Sequence, residues 1–140
     1  METNPGPRRP VHTVCRLLCS NVRYLAGNLS DLSVTSSRHG ILLCSETLVS
    51  DMCHVSELLV PGFGRPVLCR GRMPRARGMA AYVRDGYEAF RQHKFKRGCC
   101  EMMVFRVCSM RQNLFVFSLY HNPDLDCQIF DRLLTSMAAV

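Results

Sequence analysis

No apolar stretch in this chain reaches the roughly 18–20 residues that a membrane-spanning helix needs, so no membrane partner is expected. Arg8 and Arg9 stand near the start without a long apolar core behind them, which argues against a secretory leader. No C-x-x-C occurs among the nine cysteines, and their spacings are irregular. A structural zinc site is therefore weakly supported. The odd cysteine number and the missing leader favour a reducing, intracellular compartment. There is no G-x-S-x-G, no Walker loop and no G-x-G-x-x-G. That excludes the common nucleophile elbow and the glycine-rich phosphate cradles. No internal repeat and no domain boundary is visible.

Acid is also scarce. The formal net charge is +7, and Arg65, Arg70, Arg72, Arg75 and Arg77 follow one another with no acid between them. Arg91, Lys94, Lys96 and Arg97 add a second basic stretch. Such stretches can neutralise phosphates and release counterions, which gives salt-sensitive binding to nucleic acid. A solvated basic loop with no partner is the competing explanation.

What is present suits one globular domain. The chain has 140 residues, 47% of them hydrophobic and 21% charged. Residues 1–10 carry three prolines and a glycine and form a flexible start. Residues 11–140 form the domain. Strands are expected at Val11–Ser20, Ile41–Ser45, Pro66–Cys69, Gly78–Val83, Glu101–Cys108 and Leu114–Leu119, the last two as a hairpin. Leu25, Leu29 and Leu32 recur at helical spacing and predict an amphipathic helix of about three turns from Val22. A short helical turn carries Val55, Leu58 and Leu59. A final helix, capped by Asp124 or Asp126, keeps Ile129, Phe130, Leu133, Leu134 and Met137 on one face. Cys44, Cys69 and Cys108 lie in apolar runs and read as small buried hydrophobes. The order predicts an α/β fold with a mixed sheet and helices outside.

Three apolar runs stop at polar residues of catalytic type: Asn21, Glu46 and Tyr120. Sites in open α/β sheets collect outside the carboxyl ends of strands. A carboxylate there can hold a hard cation such as Mg²⁺. A carboxamide can orient a water, and a phenol can donate to a phosphate oxygen. Each residue also has a plain alternative: Glu46 as a surface or capping acid, Asn21 as an N-cap, Tyr120 as a strand aromatic. His121 is a further candidate base or ligand, with a loop histidine as its plainer reading.

In order, SNVRYLAGNLSDL, ILLCSETLVSD, RMPRARGMAAYVRDG and VFSLYHNPD resemble motifs of the endonuclease/exonuclease/phosphatase superfamily. More narrowly they look like the N-terminal endonuclease domain of jockey-like LINE (non-LTR) retrotransposon polyproteins. The stretches lie between Ser20 and Asp124, and the resemblance covers roughly Val11 to Val140. The resemblance implies a four-layer, DNase I-like α/β sandwich and Mg²⁺-dependent nicking of DNA to prime reverse transcription. It implies Glu46 as the metal ligand, Tyr120 as the phosphate contact and Asn21 as the first site asparagine. Arg72, Arg75 and Arg77 become candidates for contacts to the nucleic-acid backbone. A DNA substrate places the protein in the nucleus or cytoplasm. Asn122–Pro123 stands where the family often has two prolines. Glu2–Pro7 (ETNPGP) resembles the end of a ribosome-skipping, 2A-like peptide.

The family's Gly-Asp-x-Asn and Ser-Asp-His segments do not occur in the sequence. The resemblance therefore implies an incomplete sandwich, lacking the C-terminal half of the endonuclease domain and the reverse transcriptase of the parent polyprotein. Such a chain is expected to be inactive alone and to expose apolar surface and strand edges. A basic non-catalytic nucleic-acid-binding module and a non-functional remnant remain the alternatives.

Overall fold

Ile41–Ser45 is apolar on both faces, and that property organises the molecule. A strand buried from two sides needs a layer on each. The computed structural model describes residues 15–50, 52–70, 77–97, 100–108, 113–121 and 127–138. It contains β1 (Leu17–Asn21), α1 (Leu29–Thr35), β2 (Ile41–Ser45), a 3₁₀ turn (Val55–Leu58), β3 (Val67–Cys69) and β4 (Met79–Val83). Then come β5 (Glu88–Arg97), β6 (Cys100–Cys108), β7 (Asn113–His121) and α2 (Cys127–Ala138). The fold is mixed α/β, mostly strand, with few helices.

The first sheet has the order β1-β2-β4-β3. β1 and β2 run parallel, joined through α1, and the other pairs are antiparallel. The second sheet is the antiparallel meander β5-β6-β7. Strand alternation then separates two cores. Leu42, Cys44, Ala80 and Tyr82 face Leu25, Leu32, Leu58 and Val60 from α1 and the loops. Ile41, Met79, Ala81 and Val83 face Met103, Phe105, Val107 and Val116 of the second sheet. Met102 and Val104 alternate with the residues facing this second core and are fully buried as well.

The Tyr82 hydroxyl donates to the Leu58 carbonyl at 2.7 Å inside the first core. Burial raises this phenol above its ordinary range. Tyr82→Phe leaves that carbonyl unpaired and is expected to cost about 1–2 kcal/mol, read from urea denaturation. A variant as stable as the parent would mean that the carbonyl finds another partner.

Three expectations need correction. The helix expected from Val22 begins only at Leu29. The Asn28 amide donates instead to the carbonyls of Val22 (3.0 Å) and Tyr24 (2.8 Å), and Arg23 sits at φ 54°, outside helical geometry. A Cβ at Gly27 would come within 2.6 Å of the Tyr24 ring, so a larger residue there would displace that ring. The second correction is β5, which the sequence reading leaves as a basic stretch. It pairs with β6 along its length, with a register shift between Arg91 and His93. Pairing to β6, rather than a strict apolar alternation, specifies this strand. Third, the first strand, expected over Val11–Ser20, runs Leu17–Asn21, with Cys15 and Arg16 ahead of it outside the sheet.

The other elements match their sequence signals to within a few residues. Residues 1–14, Asp124 and Asp126 lie outside the described residues. Cys44 and Cys69 are buried, while Cys108 is half-buried. Burial pushes the Cys44 thiol up to about 12, with the nearby Cys19 adding to it. No helix among the described residues is long and apolar enough to cross a membrane. Leu17, Phe90, Leu114 and Phe115 sit on edge strands and are 44–49% exposed, the arrangement that invites strand-to-strand association.

Candidate active site

Parallel pairing aligns Asn21 with Ser45, so β1 and β2 end side by side and deliver Asn21 and Glu46 to one rim. β4 runs against β2, with Met79 opposite Ser45. Its amino end therefore meets the carboxyl end of β2, which brings Arg77 to the same rim. Tyr120 arrives from the second sheet, near the end of β7. The three strand-end residues expected from sequence converge on one site, together with Arg77.

Glu46 is its centre. Its Oε1 accepts from the Arg77 guanidinium at 2.7 Å and from the Tyr120 hydroxyl at 2.9 Å. The Glu46 side chain is 14% exposed, whereas Arg77 is 51% exposed at the solvent edge. Asn21 Oδ1 accepts from the Arg23 amide at 3.2 Å, so the carboxamide nitrogen is the donor it turns to Glu46. Beside Asn21, a cleft of about 310 Å³ opens between the two sheets, lined by Cys19, Ser20, Leu43, Ser45 and Ser118 among others.

The backbone at Glu46 is unusual. Its φ is 54°, and that of Leu48 is 51°. Left-handed geometry costs a residue with a Cβ roughly 1–2 kcal/mol. Two hydrogen bonds hold it in place: Thr47 N–H to the Gly78 carbonyl (3.3 Å) and Leu48 N–H to the Arg77 carbonyl (2.8 Å). Gly78 has φ 76°, which a glycine adopts without strain.

Desolvation pushes the Glu46 carboxyl up. Hydrogen bonds from Tyr120, Asn21 and Arg77, with the Arg77 charge, outweigh that push and hold it below the ordinary carboxylate value. Burial and the Glu46 carboxylate raise the Tyr120 phenol, and Arg77 partly offsets them. The linkage follows from the direction of the Glu46 shift. A carboxyl depressed in the folded state contributes stability above its unfolded pKa, and loses it as pH falls through the folded one. Acid unfolding is therefore expected to be less steep below about pH 4.5 in Glu46→Gln than in the parent. Equal slopes would show that Glu46 is not held in its charged form.

The Glu46 carboxylate is the oxygen donor a hard cation would take here, because the Asn21 carboxamide oxygen already accepts from the Arg23 amide. Mg²⁺ commonly binds through one or two carboxylates plus waters and substrate phosphates. Yet among the described residues no three His, Cys, Asp or Glu side chains gather to hold a metal. Glu46 would supply one charged ligand to such a site, and Arg77 is bonded to its Oε1.

Arg77, expected as a backbone contact, is thus placed on Glu46. Arg72 and Arg75 lie outside the described residues, as does the His121 side chain. One nearby acid was not expected: Glu101, buried to 2%, stands directly across from Tyr120 in the β6–β7 register. A lone acid opening the apolar run Glu101–Cys108 was the available signal. No protein-family model matches the chain, and no curated protein matches it either.

Proposed function

We propose that this chain carries part of a Mg²⁺-dependent phosphodiesterase site that acts on DNA, within an endonuclease of the non-LTR retrotransposon type. The observation that carries the reading is the convergence of Asn21, Glu46 and Tyr120 at one rim, with Arg77 against the carboxylate. Glu46 would hold the cation, and Asn21 would orient a water or neighbouring group beside it. The cation would polarise a phosphoryl oxygen. Tyr120 donates its phenolic proton in a hydrogen bond to a phosphate oxygen. Arg77, exposed at the edge, can turn from Glu46 to the DNA backbone, joined by Arg72 and Arg75. In this reading the two packed sheets belong to a DNase I-like four-layer sandwich. The protein acts inside the cell, in the cytoplasm or nucleus, alongside a reverse transcriptase.

Among the described residues, Glu46 brings one carboxylate to Tyr120 and Arg77, a small charge for a phosphoryl transition state. The chain alone is therefore expected to nick little. The test is conversion of supercoiled plasmid to open circle with Mg²⁺ and with EDTA. It compares this chain with a form joined to a segment bearing the Gly-Asp-x-Asn and Ser-Asp-His motifs. Mg²⁺-dependent nicking by the joined form alone supports the reading. A folded joined form that binds DNA in a salt-sensitive way but never nicks would sink it, leaving a basic binding module.

A further inference from the structure

We propose that Glu101 is the positioning residue of this site: its buried carboxylate clamps the Arg77–Gly78 backbone, which in turn holds Glu46 in its left-handed conformation. Glu101 Oε2 accepts from the Gly78 amide at 3.0 Å, within the protein interior. The Gly78 carbonyl accepts from Thr47 N–H, and the Arg77 carbonyl from Leu48 N–H. These two amides follow directly on the turn that Glu46 makes. A continuous path of hydrogen bonds therefore runs from Glu101 through Gly78 to the residues just after Glu46.

Strand register explains why this acid serves. Residues 101, 103, 105 and 107 of β6 share one face, and Met103, Phe105 and Val107 pack on the first sheet. An acid at the first of these positions meets the start of β4 rather than apolar side chains. Its cross-strand partner is Tyr120. One β6–β7 pair thus supports Glu46 twice, from behind through the Gly78 amide and from in front through the Tyr120 hydroxyl. A carboxylate accepting a backbone N–H makes one of the stronger hydrogen bonds available. Buried, it resists exchange with water. A strained backbone persists only where its surroundings over-determine it, and the Glu101 bond to the Gly78 amide is one of the constraints that do so here.

The consequence for catalysis rests on the reading of Glu46 as the metal-holding carboxylate, but the clamp itself does not. The experiment is residue-by-residue amide hydrogen exchange by NMR on the full chain, with Glu101→Ala, Glu101→Gln and Glu101→Asp. In Glu101→Ala, the Thr47 and Leu48 amides are expected to exchange about tenfold faster or more, the scale of a lost charged hydrogen bond. The Phe105 and Tyr82 amides should change far less, and the Glu46 Cα and Cβ shifts should leave their left-handed values. Glu101→Gln, whose amide oxygen still accepts from Gly78, should restore both signatures. Glu101→Asp is too short to reach and should behave like Ala, which keeps the comparison decisive should Glu101→Ala not fold. Unchanged Thr47 and Leu48 amides, or acceleration shared equally with the core amides, would overturn the proposal. Failure of the nicking assay would leave these exchange results standing, so the two readings fail separately.

Discussion

Phe105→Ala is expected to lower the stability of this protein by about 3–5 kcal/mol. Phe105 is fully buried at the centre of β6. It lies in the core shared by the two sheets, among Met79, Ala81, Val83 and Val116. Removing the ring deletes transfer free energy and leaves a cavity that strands in two hydrogen-bonded sheets cannot close. A domain has only about 5–15 kcal/mol in total, so the variant approaches the unfolding threshold at ordinary temperature. Thermal melts followed by circular dichroism should show a Tm drop on the order of 10 °C. Phe90→Ala is the control. Phe90 is 44% exposed and mainly meets the Arg106 guanidinium, 5.3 Å from its ring centroid. That exposed contact is worth about 0.5–1 kcal/mol. A Phe105→Ala loss as small as the control's would mean that the sheets are not held together through this residue.

The second large effect is on chemistry. In the joined, nicking-competent form, Glu46→Ala is expected to reduce Mg²⁺-dependent nicking by about 10²–10³-fold. It removes the carboxylate that meets Tyr120 and Arg77 and releases both groups bonded to its Oε1. Glu46→Gln keeps the size and the acceptor oxygen but not the charge. It should therefore lose nearly as much if the charge holds a cation, and little if Glu46 only orders Arg77 and Tyr120. Tyr120→Phe should give a smaller loss, because the ring remains and one hydrogen bond disappears. Melting temperatures separate these results from unfolding. Nicking by Glu46→Ala at the parent rate would remove Glu46 from the site.

Sequence alone determined the local facts. Apolar runs at Ile41–Ser45 and Gly78–Val83 marked strands, and strands stand at Ile41–Ser45 and Met79–Val83, the second buried throughout. The polar residues that end the runs Val11–Ser20, Ile41–Ser45 and Leu114–Leu119 marked Asn21, Glu46 and Tyr120 as candidates. Charge and composition pointed to a single basic domain. These properties are legible because side-chain period and burial act over a few neighbouring residues. Tertiary structure decided what depends on distant pairing. Arg77 reaches Glu46, 31 positions away, only because β4 runs antiparallel to β2. Glu101 reaches Gly78 only because β6 packs its inward face on the first sheet. β5 becomes a strand because β6 offers it a hydrogen-bonding edge. Glu46 takes a left-handed turn because carbonyls from another strand's lead-in capture the amides beside it. No local pattern encodes such partners, since strand pairing is chosen by the whole buried face and its register.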